Sequence, residues 1–206
     1  MKTRSLLGIA GAALLLTACI PSVHPFYTEK DVVFDPRLLG QWITPEEPLG
    51  SWRFEDDGDK KYKFTVTESN GKQGEFVAHL FKLKGHSFLD IIPAKLELKE
   101  DQAGMVGMAL IPGHLLIRVR EIEPTLKADF FDWDWLQEYL KKNPKALAHR
   151  GSGDKDPLVL TAAPRELQRF VLKHLKDGEL FKTNASETAM VRTTNAAPAA
   201  VKPPAK

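Results

Sequence analysis

The sequence predicts a mainly β (α+β) fold, an antiparallel β-barrel or sandwich followed by two C-terminal helices. Three observations carry this. Apolar and polar residues alternate with period two along much of residues 41–131, and turn signals recur about every 8–12 residues. Two amphipathic segments of helical period then follow.

Gln41-Trp42-Ile43 is the first strand, closed by Thr44-Pro45-Glu46-Glu47-Pro48. Ser51–Glu55 sets Trp52 and Phe54 on one face, with Arg53 and Glu55 opposite, and Asp56-Asp57-Gly58-Asp59 turns the chain. Tyr62, Phe64 and Val66 alternate with Lys61, Lys63, Thr65 and Thr67, as a sheet with one wet face requires. Asn70-Gly71 is a hairpin signal whose two central positions call for positive φ. Glu75–Leu83 returns, Lys84-Gly85 turns, and Ser87–Ile92 forms the next strand. Leu96–Leu98, Met105–Ile111, Leu115–Ile122 and Leu126–Phe131 follow, which makes about eight or nine strands.

Asp132 can cap a helix from Trp133 to Lys142, with Pro144 as its stop. A second helix starts at Pro164 and runs to about Lys176, with Leu167, Phe170, Val171, His174 and Leu175 as its inward stripe and Gly178 beyond its end. Between the helices, Pro157-Leu158-Val159-Leu160 can form a last strand.

The full chain carries 29 Lys+Arg against 27 Asp+Glu, a formal charge of +2. Residues 1–18 hold Lys2 and Arg4 and no acid, so the chain from Cys19 onward has 27 of each sign. A neutral body argues against a general nucleic-acid binder, which needs a basic surplus to displace counterions. Hydrophobic content of 43% and charged content of 27% are globular values. The one cysteine rules out an internal disulfide.

Lys2 and Arg4 precede an apolar run from Leu6 to Ala18. That run is shorter than the ~20 residues a helix needs to span a bilayer, and a positive start before a short apolar run is a secretory signal pattern. It ends Leu16-Thr17-Ala18-Cys19, which resembles the lipobox of bacterial lipoproteins. The resemblance covers the first 19 residues. It implies a signal peptide over 1–18, a diacylglycerol thioether on Cys19, cleavage after Ala18, and an acyl chain such as palmitate on the new amine. Several acyl chains together give stable anchoring, at ~0.8 kcal/mol per buried methylene. Ile20 stands where an aspartate would favour the inner membrane, so the resemblance points to the outer membrane, with the body facing the periplasm.

Residues 19–36 contain Pro21, Pro25 and Pro36 and read as an extended N-terminal tether, with His24-Pro25-Phe26-Tyr27 and Val32-Val33 apolar enough to pack as a strap. Residues 37–182 form the globular domain. Residues 183–206 turn to Ala, Thr, Asn and Pro and read as a mostly disordered tail, at least beyond Arg192. That tail carries +2, leaving the rest of the mature body near −2.

No phosphate-binding P-loop occurs, and Gly151-Ser152-Gly153 lacks the strand-turn-helix setting of a serine nucleophile. None of the six histidines (His24, His79, His86, His114, His149, His174) forms a local metal-ligand pair. Asp56-Asp57-Gly58-Asp59 departs from the EF-hand order and reads as a turn. Asp129, Asp132 and Asp134 among Phe130, Phe131, Trp133 and Trp135 read as cap and core. Asp90, inside an apolar strand, and His114, after Pro112-Gly113, are the two unusual polar residues. Asp90 can be a base activated by burial, or an acceptor for a loop and a partner for a base, and a hydrolase would need a cluster around one of the two. The chain reads as non-enzymatic, with no catalytic residue, cofactor or metal assigned.

Gly40-Gln41-Trp42 resembles the G-x-W signature of lipocalins over those three residues. That resemblance implies an eight-stranded barrel closed at one end by the tryptophan, a small apolar ligand, and a later arginine partner, for which Arg118 and Arg120 are the candidates. Trp52, Phe54, Tyr62 and Phe64 are then the candidate ligand-binding residues, lining the interior for a lipid-like molecule; equally, such aromatics can fill a small barrel. The other partner class is a second envelope component meeting a sheet edge or the tail.

Overall fold

The alternating runs between Gln41 and Phe131 become the wall of a barrel in the computed structural model, which describes residues 20–45, 47–95, 112–153, 156–175, 180–182 and 189–193. Seven strands run up and down, each antiparallel to the next. They are β1 (Gly40–Thr44), β2 (Glu47–Asp56), β3 (Lys61–Thr67), β4 (Gln73–Leu83), β5 (His86–Pro93), β6 (Leu115–Glu121) and β7 (Leu126–Phe131). Helix α1 (Trp133–Lys142), a small ribbon of β8 (His149–Arg150) and β9 (Val159–Leu160), and helix α2 (Pro164–His174) follow. The chain then re-enters the sheet as β10 (Phe181–Lys182) and β11 (Ala189–Arg192).

Strand β11 closes the structure. Met190 pairs with Leu126 of β7 and Arg192 with Trp42 of β1, so the ring β1 to β7 plus β11 is an eight-stranded antiparallel barrel of lipocalin-like build. The barrel alternative therefore holds over the sandwich. β10 pairs with the other half of β7, Phe181 opposite Phe131.

The turns follow their sequences with one exchange. Lys84 and Gly85 have φ of 50° and 85° and join Leu83 directly to His86, the two-residue geometry expected of Asn70-Gly71. At Asn70-Gly71 only Gly71 is left-handed (φ 84°), and the loop is longer because the Asn70 side chain accepts from Lys72 N at 2.8 Å. The aspartate run after β2 is a turn, in which Asp56 Oδ1 accepts from Gly58 N at 2.9 Å.

The barrel wall separates two cores. Inside lie Trp42, Phe54, Tyr62, Phe64, Leu80, Leu89 and Ile117, each 1% exposed or less. Outside, β4 to β7 present Phe81, Leu83, Phe88, Leu116 and Phe131 to Leu136 and Leu140 of α1 and to Leu167, Phe170 and Val171 of α2. Each such buried side chain contributes roughly 1.5–3 kcal/mol of transfer free energy. Asp132 caps α1 as expected, accepting from Trp135 N at 3.0 Å.

The globular unit is wider at both ends than residues 37–182. The boundary at 183 falls inside the barrel, since Ala189–Arg192 is its closing strand. At the other end, the segment expected to be a tether is bonded to the body from Ile20 on, which is 1% exposed. Prolines remove donors there, but several of the remaining amides bond to the body: Ser22 N donates to His114 O (2.9 Å), Val23 N to Leu160 O (2.9 Å) and Val33 N to Leu80 O (2.8 Å). Pro157–Leu160 supplies a strand, but β9 pairs with β8 outside the barrel. Cys19, Leu96–Leu98, Met105–Ile111 and residues 194–206 lie outside the described residues.

Candidate functional site

Trp52, Phe54, Tyr62 and Phe64 meet on the inner faces of β2 and β3, where Trp52 pairs with Val66 and Phe54 with Phe64. They divide by depth. Phe54 and Phe64 stack at 4.4 Å with planes 5° apart, and Tyr62 meets Phe54 edge to face at 6.2 Å. These three are at most 1% exposed. Tyr62 Oη accepts from Asp35 N at 2.7 Å, and burial pushes its phenol up to about 12. It is a neutral tie to the strap.

Trp52 is only partly buried. It meets Phe64 at 5.3 Å and, across the lumen, Phe130 of β7 at 5.9 Å, both edge to face. Phe76 of β4 packs on Phe64 at 5.8 Å and is also partly exposed. Trp52, Phe76 and Phe130 thus rim one end of the barrel above a floor of stacked phenylalanines.

The opposite end is plugged. Val33, Phe34, Leu38 and Leu39 of the strap join the interior core, Phe34 stacks on Tyr62 at 4.9 Å, and Trp42 Nε1 donates to Leu38 O at 2.9 Å. Outside this end the Arg192 guanidinium carbon lies 4.6 Å from the Trp42 ring centre. Gly40 has φ +115°, and a Cβ there would meet Arg192 Cδ at 3.7 Å. The arginine on the tryptophan is therefore Arg192, not Arg118 or Arg120. Those two point outward from β6, Arg118 over the Phe181 ring at 5.9 Å and Arg120 Nε 2.9 Å from Asp129 Oδ2. Asp129 is thereby the outward, fully buried partner of Arg120, and Asp134 opens α1.

Asp90 and His114, unusual singly, form a pair. His114 Nδ1 is 2.6 Å from Asp90 Oδ1, and Asp90 Oδ2 accepts from Phe26 N at 2.8 Å. Asp90 is 0% exposed, so it is the acceptor for a loop and the partner of a base. Around them stand Ser22, 0% exposed and bridged to His114, and His79, opposite Asp90 in the β4–β5 register. The Tyr27 ring is 4.6 Å from His79; burial, then Asp90 and Glu29, push its phenol up to about 12. Burial holds the His79 imidazole below its ordinary value, and its Nδ1 has no hydrogen-bond partner among the described residues. Chemically this is an oriented imidazole clasped to the strap. The buried Ser22 hydroxyl offers no accessible nucleophile, so the arrangement ties the strap down.

Sequence reading missed a groove in the helical layer. A cavity of about 570 Å³ opens between α1, the 144–148 turn and α2, lined by Tyr139, Leu147, Phe170 and the cations Lys145, Arg169 and Lys173. The spacing of Arg169 and Lys173, one turn apart on α2, was the available signal. A smaller cavity of about 140 Å³ borders it near Pro144 and Leu158, beside the Gly151-Ser152-Gly153 loop.

Among the described residues, no group of three His, Cys, Asp or Glu is arranged to hold a metal ion, and no helix is long and apolar enough to cross a membrane. No protein-family model, curated protein or solved structure matches the chain.

Proposed function

We propose that this chain is a lipid-anchored bacterial envelope protein, acylated at Cys19 and held at the outer membrane facing the periplasm, whose barrel binds an apolar or lipid-like molecule without catalysis. The observation that carries the binding role is the asymmetry of the barrel. The strap plugs one end with Val33, Phe34 and Leu38, while the other presents Trp52, Phe76 and Phe130 partly exposed around the lumen. Partly exposed aromatic side chains around a lumen are the kind of surface that suits a small apolar ligand. The Phe54–Phe64 stack sets its depth, so the ligand sits on the stack rather than beneath it. The lipobox resemblance at Leu16-Thr17-Ala18-Cys19 carries the anchoring role.

Trp52 reports occupancy. Titrating a long-chain fatty acid into the purified protein should change its tryptophan emission saturably, and Trp52→Phe should remove most of that change. Emission that never responds, in a protein that also carries no lipid from its membrane, contradicts the binding role.

A further inference from the structure

Charge is segregated in this fold. The described residues of 20–132, the strap and seven barrel strands, carry 13 basic and 15 acidic side chains. The described residues of 133–175, the helical layer, carry seven basic and four acidic. The excess converges on the groove between α1 and α2, where Lys145, Arg169 and Lys173 face a single acid, Glu166, 4.0 Å from Arg169. Lys145 and Lys173 make no ion pair among the described residues. Tyr139 and Phe170, edge to face at 5.8 Å, give the groove an apolar wall.

The groove is also joined to the start of the body by a short ladder. Ala148 lines it and accepts from Thr161 N at 2.9 Å; His149 of β8 pairs with Leu160 of β9; Leu160 N donates to Pro21 O at 2.9 Å. Two strand spacings, roughly 10 Å, separate Pro21 from the groove wall. Ile20 is 1% exposed, so one peptide bond separates the packed body from Cys19. A chain tied that closely to an acylated residue has no slack to turn over. The face beside Ile20 and Pro21 must stay at the bilayer surface, and cations placed there are attracted by anionic lipid.

We propose that the α1–α2 groove docks the phosphate headgroup of an anionic glycerophospholipid, and that the basic helical layer is the face held against the membrane while the acidic barrel points away. This rests on the reading of Cys19 as the acylated residue. Lys145, Arg169 and Lys173 receive the phosphate, and Tyr139 and Phe170 pack against the glycerol and upper acyl carbons.

Cys19 is the chain's one cysteine, so in the acylated protein a cysteine introduced elsewhere is the single free thiol. A fluorophore placed on Ala146→Cys in the groove, or on Glu55→Cys on the far side of the barrel, reports distance to nitroxide-labelled headgroups. The vesicles are phosphatidylcholine with or without phosphatidylglycerol. Quenching at position 146 should exceed that at 55 severalfold and rise further with phosphatidylglycerol. The variant Lys145→Glu, Arg169→Glu, Lys173→Glu should lose that rise while keeping its melting temperature. Equal quenching at the two positions overturns the orientation. A phosphatidylglycerol response that survives the charge reversal overturns the headgroup site. Protein with Cys19 intact that fails to float with vesicles overturns the anchored reading, and this inference with it.

Discussion

The Arg192 guanidinium carbon sits 4.6 Å from the centre of the Trp42 ring, and this contact joins the last strand of the barrel to the first. Arg192 Nη2 also donates to Glu123 Oε1 at 2.8 Å and to the Arg37 carbonyl, so one side chain links strand, strap and the β6–β7 turn. Cation–π contacts at sites this exposed contribute about 0.5–1 kcal/mol. Arg192→Ala should therefore lower stability to urea by about 1 kcal/mol or slightly more, because the packed stem is lost as well. A double-mutant cycle with Trp42→Leu should show that much of the loss is coupling between the two. A coupling energy near zero contradicts the contact.

Gly40 lies under the Arg192 stem at φ +115°. Alanine there is strained by its backbone whatever the space available, so Gly40→Ala should destabilise by about 1–3 kcal/mol, measured by urea unfolding. Gly58→Ala, with φ +70° and nothing within 4 Å, separates backbone strain from the added contact with Arg192.

Much of the barrel was legible because its information is local. In β2 to β5, Trp52, Phe54, Tyr62 and Phe64 alternate with charged residues, and Gly58 and Gly85 punctuate them. The closing strand was not legible. Ala189–Arg192 has one buried side chain, Met190, and the partners of the strand are distant: Leu126 is 64 residues from Met190 and Trp42 is 150 residues from Arg192. The same non-locality hid the arginine: Arg118 and Arg120 lie in an obvious strand, whereas Arg192 lies in a segment whose composition suggested no order. Asp90 and His114 were each visible as polar residues in apolar surroundings. Their pairing required the β5–β6 register, which residues 96–111 separate in the chain.

That pair fastens the strap. Asp90→Ala would leave Phe26 N and the largely buried His114 ring without their acceptor, and a buried donor left unsatisfied this way costs ~1–3 kcal/mol. Asp90→Asn keeps an acceptor for Phe26 N and should cost markedly less. Amide exchange at Phe26 reads the effect directly: protection there should fall more than protection in β3. Unchanged Phe26 protection in Asp90→Ala contradicts the clasp.

His79 gives the domain a pH dependence. Burial lowers its folded pKa, against the opposing pull of Asp90 and Glu29 and with the help of Lys61 and His114. The unfolded chain takes up a proton near the ordinary value of about 6.5, whereas the folded chain takes it up only at lower pH. Stability should thus hold above about pH 6.5 and decline as pH falls through that value toward the lowered one, by at most ~1.4 kcal/mol per pH unit. His79→Gln should flatten the decline in urea midpoints between pH 7.5 and 5. A slope unchanged by the substitution assigns the effect to other groups.

The most direct test of the account is native mass spectrometry of the mature protein taken from its membrane. The expected species is a chain beginning at Cys19 with acyl mass on that residue, carrying a non-covalent apolar molecule that is lost in Trp52→Ala, Phe130→Ala protein of unchanged fold. An unacylated chain contradicts the anchor. An acylated chain that carries nothing and takes up no offered fatty acid contradicts the binding role of the barrel.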